Sequence, residues 1–170
     1  MSKKLLDHLQ SKKLSIEERI LAGKKLRDKF PRIKQGEYKP AANRIDPVSI
    51  LEEQAKTRLP ELVPVRYARM LGSPFAFLRG GAAIMAADLA ANSKTTGINV
   101  QACGDMHIAN FGVFVSAERT LVFGINDFDE TLPGSWEWDL KRLVASVVAA
   151  GRFLGVNKVK CEQSVLSAVS

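Results

Sequence analysis

The stretch CGDMHIANFG, residues 103–112, sets Asp105, His107 and Asn110 within six positions. A second stretch, GINDFDET, begins at Gly124 and adds Asp127, Asp129 and Glu130. Carboxylates beside apolar runs such as GVFV and TLVF need partners or a task, because burying a lone charge is costly. One task is proton and metal chemistry. Asp supplies a base or a charged ligand, and Asn a neutral oxygen for a hard cation. Mg²⁺ takes oxygen ligands in near-octahedral order, usually few of them from protein. An Asp that accepts a hydroxyl proton, with an Asn and a second Asp on Mg²⁺ against nucleotide phosphates, is what phosphoryl transfer uses. The spacing D-x-x-x-x-N, followed by a short hairpin and Asp-Phe, is the catalytic pattern of kinases. The structural alternative is that Asp and Asn cap turns.

On the chemical reading Asp105 is the catalytic base, and Asn110 and Asp127 are metal ligands. Asp129 is either a further ligand or the cap of the DET turn. His107 either acts directly or fixes the loop through backbone contacts. Arg79 is a candidate for nucleotide phosphate, with Asp88 as its alternative partner. Arg66 and Arg69, three apart and able to share a face, are further candidates for phosphate. Trp136 and Trp138 are expected to pack the start of a helix, and Cys103 to be core. With only two histidines, His8 and His107, a His-rich zinc site is excluded on composition.

These side chains need elements to position them. SIEERILAGKKLRDKF predicts a helix with Ser15 as N-cap, Glu18 completing a capping box and Pro31 ending the run. Residues 31–48 look irregular. DPVSILEEQAKTRL predicts a second helix, capped by Asp46 or Ser49. A helical turn is expected around 65–71, followed by an extended FAFLRG. GAAIMAADLAANS reads as a helix of small residues, and GINVQAC as a strand leading into the motif. FGVFV and TLVFGI, joined by SAER, predict a hairpin over about 111–126 that returns Asp127 beside Asn110. WEWDLKRLVASVVAAGRFLG predicts a long helix. Its apolar face is Leu140, Leu143, Val144, Val147, Val148, Gly151 and Leu154, with Asp139 near the start. VNKVKCEQSVLSAVS reads as the opening of another helix.

The bulk numbers set the class. The chain has 170 residues, 46% of them hydrophobic and 25% charged, which suits one globular domain. The formal charge of +7 is confined to residues 1–34, which hold eleven Lys or Arg against four Asp or Glu. The remainder holds fourteen of each and is neutral. A basic helical extension over 1–34 is suited to an acidic partner. The neutral remainder, with no nucleic-acid motif, argues against nucleic acid. No window is apolar enough for a membrane span. MSKKLLDHLQSKK lacks the apolar core of a secretory signal. Cys103 and Cys161 stand outside metal or redox spacing. Together these predict a cytoplasmic protein.

MLGSPFAFLRGGAAIMAADLA, QACGDMHIANFGVF and LVFGINDFDETLPGSWEWDLKRLVASVV resemble, over residues 60–155, the uncharacterised bacterial family called domain of unknown function 2252. GDMHIAN with NDFDE also resembles the active-site loops of aminoglycoside phosphotransferases and other kinase-like enzymes. The resemblance implies that Asp105 is the catalytic Asp, that Asn110 and Asp127 hold metal, and that Asp139 braces the catalytic loop. It implies Mg²⁺ and ATP as cofactors and a small-molecule or protein acceptor. The expected fold class is α+β: a protein-kinase-like catalytic lobe, mostly helical with a short hairpin. Residues 35–170 would be a partial domain of this kind, truncated at the C-terminus. The sequence departs from the kinase plan, since no G-x-G-x-x-G precedes the loop and no Lys stands in a V-A-I-K context. The resemblance puts those parts downstream, in a longer domain. Two other functions fit the same residues. One is a metal-dependent hydrolase using Asp105, His107, Asp127 and Asp129. The other is a non-catalytic fragment that binds a partner through the basic arm.

Overall fold

The computed structural model describes residues 14–92 and 94–170. The opening MSKKLLDHLQSKK, with the signal reading made on it and His8, lies outside the described residues. The chain forms two compact units, one up to Glu37 and one over Tyr38–Ser170.

The first unit contains helix α1 (Ile16–Lys29) and a 3₁₀ turn, Arg32–Gly36. The capping box is present: the Ser15 hydroxyl accepts from the Glu18 N–H at 3.1 Å, and the Glu18 carboxylate accepts from the Ser15 N–H at 2.7 Å. None of the α1 residues is buried.

The second unit is α+β, mostly helical with two small antiparallel sheets. Helix α2 (Pro47–Ala55) starts where the Asp46 carboxylate accepts from the Ser49 N–H at 2.8 Å. Helix α3 (Val63–Met70) follows a 3₁₀ turn at Pro60–Leu62. FAFLRG is not extended: it forms helix α4 (Pro74–Gly80). Ser73 accepts from the Ala76 N–H at 3.0 Å and Pro74 supplies a preset φ, so Ser-Pro starts a helix despite the apolar run that follows. Helix α5 is Ala82–Asn92.

Strand β1 (Asn99–Ala102) leads into the motif loop and a 3₁₀ turn at Ile108–Asn110. Strands β2 (Phe111–Val115) and β3 (Leu121–Ile125) form the expected hairpin, with Phe111 opposite Ile125 and Val115 opposite Leu121. Strand β4 (Leu132–Ser135) was not foreseen. It pairs with β1, Ala102 opposite Leu132 and Asn99 opposite Ser135. Its Pro and Gly hide it from any pattern of β-branched residues. Helices α6 (Trp136–Phe153) and α7 (Lys158–Ala168) complete the unit.

Helix α6 packs against α4, β1 and α7 and is the centre of the fold. Its buried face matches the expected one at Val147 and otherwise differs from it. The most buried side chains are Glu137, Arg142, Ser146 and Val147, while Leu154 is 75% exposed. The reason is what α6 faces. It lies under the 103–108 loop, whose N–H groups and Asp105 carboxylate need polar partners. The interior is accordingly mixed. Met70, Ala82, Ile84, Ala102 and Val147 are buried, and so are His107, Asn110, Glu137, Arg142 and Ser146. Among the described residues no single helix is long and apolar enough to cross a membrane.

Candidate active site

The motif loop is held from beneath by α6, at spacings that keep one helical face. The Asp139 carboxylate accepts from the N–H groups of Cys103 at 2.7 Å and Gly104 at 3.1 Å. Three residues on, Arg142 donates through Nε and Nη2 to Asp105 Oδ1, with the Nε contact at 2.7 Å. Its Nη2 also donates to the Leu78 carbonyl at 2.7 Å, which ties in α4. A further turn on, the Ser146 hydroxyl accepts from the Ile108 N–H at 2.9 Å. The loop's polar groups are thus met in sequence by one helix. Gly104 sits at φ +85, where a Cβ would lie 2.2 Å from the Glu130 carbonyl oxygen, so only glycine fits.

Glu137, 1% exposed, secures the start of α6. Its carboxylate accepts from Thr96 N and Oγ1 at 2.7 and 2.6 Å, and from the Ser135 hydroxyl. Burial pushes its pKa up, but these hydrogen bonds together outweigh burial and hold it below the usual carboxylate value. Trp136 also serves this corner, donating from Nε1 to Thr96 Oγ1 at 3.0 Å, in keeping with a packing role.

The hairpin register brings the second stretch back to the first. Beyond the Phe111–Ile125 pair, the Asn126 N–H donates to the Asn110 carbonyl at 3.0 Å. Asp127 therefore follows directly after a rung that contains Asn110. The Asn110 amide nitrogen donates to the Asp105 carbonyl at 2.7 Å, which directs the amide oxygen elsewhere. The Asp127 carbonyl accepts from the Cys103 thiol at 3.2 Å. Burial first, and then the Asp139, Asp105 and Asp127 carboxylates, push that thiol's pKa up, and Cys103 is buried.

Asp105, His107, Asn110 and Asp127 line a single cavity of about 710 Å³. Its other wall comes from residues 58–80 and includes Arg66, Arg69 and Arg79. Asp129 stands apart from this lining, and the carboxylate that caps the turn is that of Asp127, whose Oδ1 accepts from the Asp129 N–H at 3.2 Å. Asp88 is not the partner of Arg79. It accepts from Arg44 Nε and Nη2 at 2.6 and 2.8 Å. His107 is 3% exposed, with Nε2 3.5 Å from Asp105 Oδ2 and, among the described residues, no hydrogen-bond partner for Nδ1. Burial chiefly, and then Arg79 and Arg142, lower its pKa against the opposing pull of Asp105.

Among the described residues, no group of three or more His, Cys, Asp or Glu side chains is arranged to hold a metal ion. Besides Asp105, which is paired with Arg142, the hard side-chain oxygens among the cavity's lining residues belong to Asn110 and Asp127. Two hard oxygens suit a cation that draws its other ligands from water and phosphate, as Mg²⁺ does.

Sequence reasoning missed Arg142, Glu137 and Ser146. The signal for Arg142 was present: WDLKR puts it three residues after Asp139, on the same helical face. No curated protein and no solved structure matches the chain. A model of the family described as an uncharacterized protein conserved in bacteria (DUF2252) matches residues 58–170, and the chain belongs to that family.

Proposed function

We propose that the cavity is the site of a kinase-like phosphotransferase that uses a Mg²⁺-bound nucleotide. The observation that carries this reading is the shared lining of Asp105, Asn110 and Asp127, with the loop before Asp105 clamped through its backbone by Asp139. Asp105 Oδ1 is taken by Arg142, whereas among the described residues Oδ2 has only the distant His107 Nε2. Oδ2 is then the oxygen that orients the acceptor hydroxyl and takes its proton. The Arg142 pair fixes the carboxylate's rotation, so that Oδ2 keeps one direction. Asn110 and Asp127 supply the protein's oxygens to the cation, and Arg79 a charge for a phosphate. When bound, Mg²⁺ neutralises phosphate charge.

A hydrolase built on Asp105, His107, Asp127 and Asp129 is less well supported. His107 is buried with its pKa lowered, Asp129 stands outside the cavity lining, and among the described residues no group of three or more His, Cys, Asp or Glu is arranged to hold a metal ion.

The reading is tested by kinetics on Asp105→Asn. Asn keeps an oxygen for Arg142 and removes the base. Turnover should fall by about 10²-fold or more, the usual range for a general base. Nucleotide affinity should stay near wild type, because the base touches only the acceptor. Full turnover by this variant removes Asp105 from the chemistry.

A further inference from the structure

The cavity is unequal in charge. Every charged side chain that residues 58–80 contribute to its lining is an arginine: Arg58, Arg66, Arg69 and Arg79. The opposite segment, 105–127, contributes two carboxylates, and Asp105 is already neutralised by Arg142. Among the described residues none of the four arginines forms an ion pair. Arg66 is pinned by donating to the Gly80 carbonyl at 2.6 Å. Arg58, Arg69 and Arg79 make no side-chain hydrogen bond among the described residues, and Arg79 is close enough to His107 to depress its protonation. Arginines held without carboxylates on a concave wall fit phosphate, since the guanidinium fork matches its oxygens. The same wall repels an amine-rich acceptor.

We propose that the wall built by residues 58–80 is an anion subsite for a phosphate group of the ligand. Arg58, Arg69 and Arg79 supply the donors, and Arg66 holds the wall to α4. The inference rests on the phosphotransferase reading only for the ligand's role. A nucleotide tail and a phosphate-bearing acceptor share this chemistry.

Calorimetry on the full chain tests it. Inorganic pyrophosphate is titrated without Mg²⁺ into wild type and into Arg58→Gln, Arg69→Gln and Arg79→Gln. All three arginines are exposed, so the variants should fold, and thermal melts check this. Pyrophosphate should bind wild type and weaken about tenfold for each arginine lost. Asp127→Ala removes a negative charge from the same cavity and should not weaken pyrophosphate binding while it weakens Mg·ATP, so loss of the nucleotide reading and loss of the anion subsite are separately visible. Mg·ATP and glycerol 3-phosphate are then titrated into the same variants. The probe that weakens identifies the source of the phosphate. No pyrophosphate binding overturns the proposal, as does equal affinity in all variants or a failure of both phosphate-bearing probes to weaken.

Discussion

Arg142 carries the heaviest structural duty of any single side chain at the site. It is 3% exposed and joins the Asp105 carboxylate to the Leu78 carbonyl. Removing one partner of a buried pair strands the other charge, so Arg142→Met should lower stability by about 3 kcal/mol in urea denaturation. A change within a few tenths would mean that Asp105 finds water instead. His107 gives a second residue-level prediction. Asp105 favours its protonated form, while burial, Arg79 and Arg142 oppose it and prevail. Its folded pKa therefore lies below the unfolded 6.5. The unfolded chain binds the proton first, so stability is full above pH 6.5 and falls as pH drops from there toward the folded value. Denaturant midpoints for wild type and His107→Gln across this range should diverge, with the variant flatter. Parallel curves would show that His107 protonates without cost. Gly104 adds a third: alanine there should cost more than the roughly 1–2 kcal/mol of a left-handed residue alone, because of the Glu130 carbonyl.

At the level of elements, the site is a loop laid on a helix and closed by a hairpin. Asp139, Arg142 and Ser146 form one polar line along α6, and the β2–β3 register sets Asp127 beside Asn110. The hairpin was legible because FGVFV and TLVFGI are β-rich runs with a short polar link. Helix α1 was legible because its capping box is a local code. The inward face of α6 was legible only at Val147. Apolar periodicity assigned burial to leucines and valines, whereas the loop above demanded polar partners that no local pattern announces. Helix α4 was missed for a different reason: an apolar run outweighed the Ser73-Pro74 start signal. That signal makes its own prediction. Ser73→Ala removes the acceptor for the Ala76 N–H and should cost about 1 kcal/mol, read from the thermal midpoint. An unchanged midpoint would assign the start of α4 to Pro74 alone.

For the whole molecule, the second unit is organised around polar burial more than around a large apolar core. Glu137, Arg142 and Ser146 are buried, while Leu71, Leu121 and Phe123 are more than two-thirds exposed. Such an arrangement costs stability unless every buried group is satisfied, and α6 satisfies most of the loop's groups. The candidate residues were legible as a set because Asp105, Asn110 and Asp127 are polar types at kinase-like spacing. Their supports came from distant segments and could be found only in the fold. The account stands on Asn110 and Asp127 sharing a cation with a nucleotide. Calorimetric titration of ATP, with and without Mg²⁺, into wild type and Asp127→Ala tests this most directly. The account predicts Mg²⁺-dependent binding to wild type, weakened at least about tenfold in Asp127→Ala by loss of a charged ligand. Equal affinity in the two proteins, or no binding to either, would contradict it.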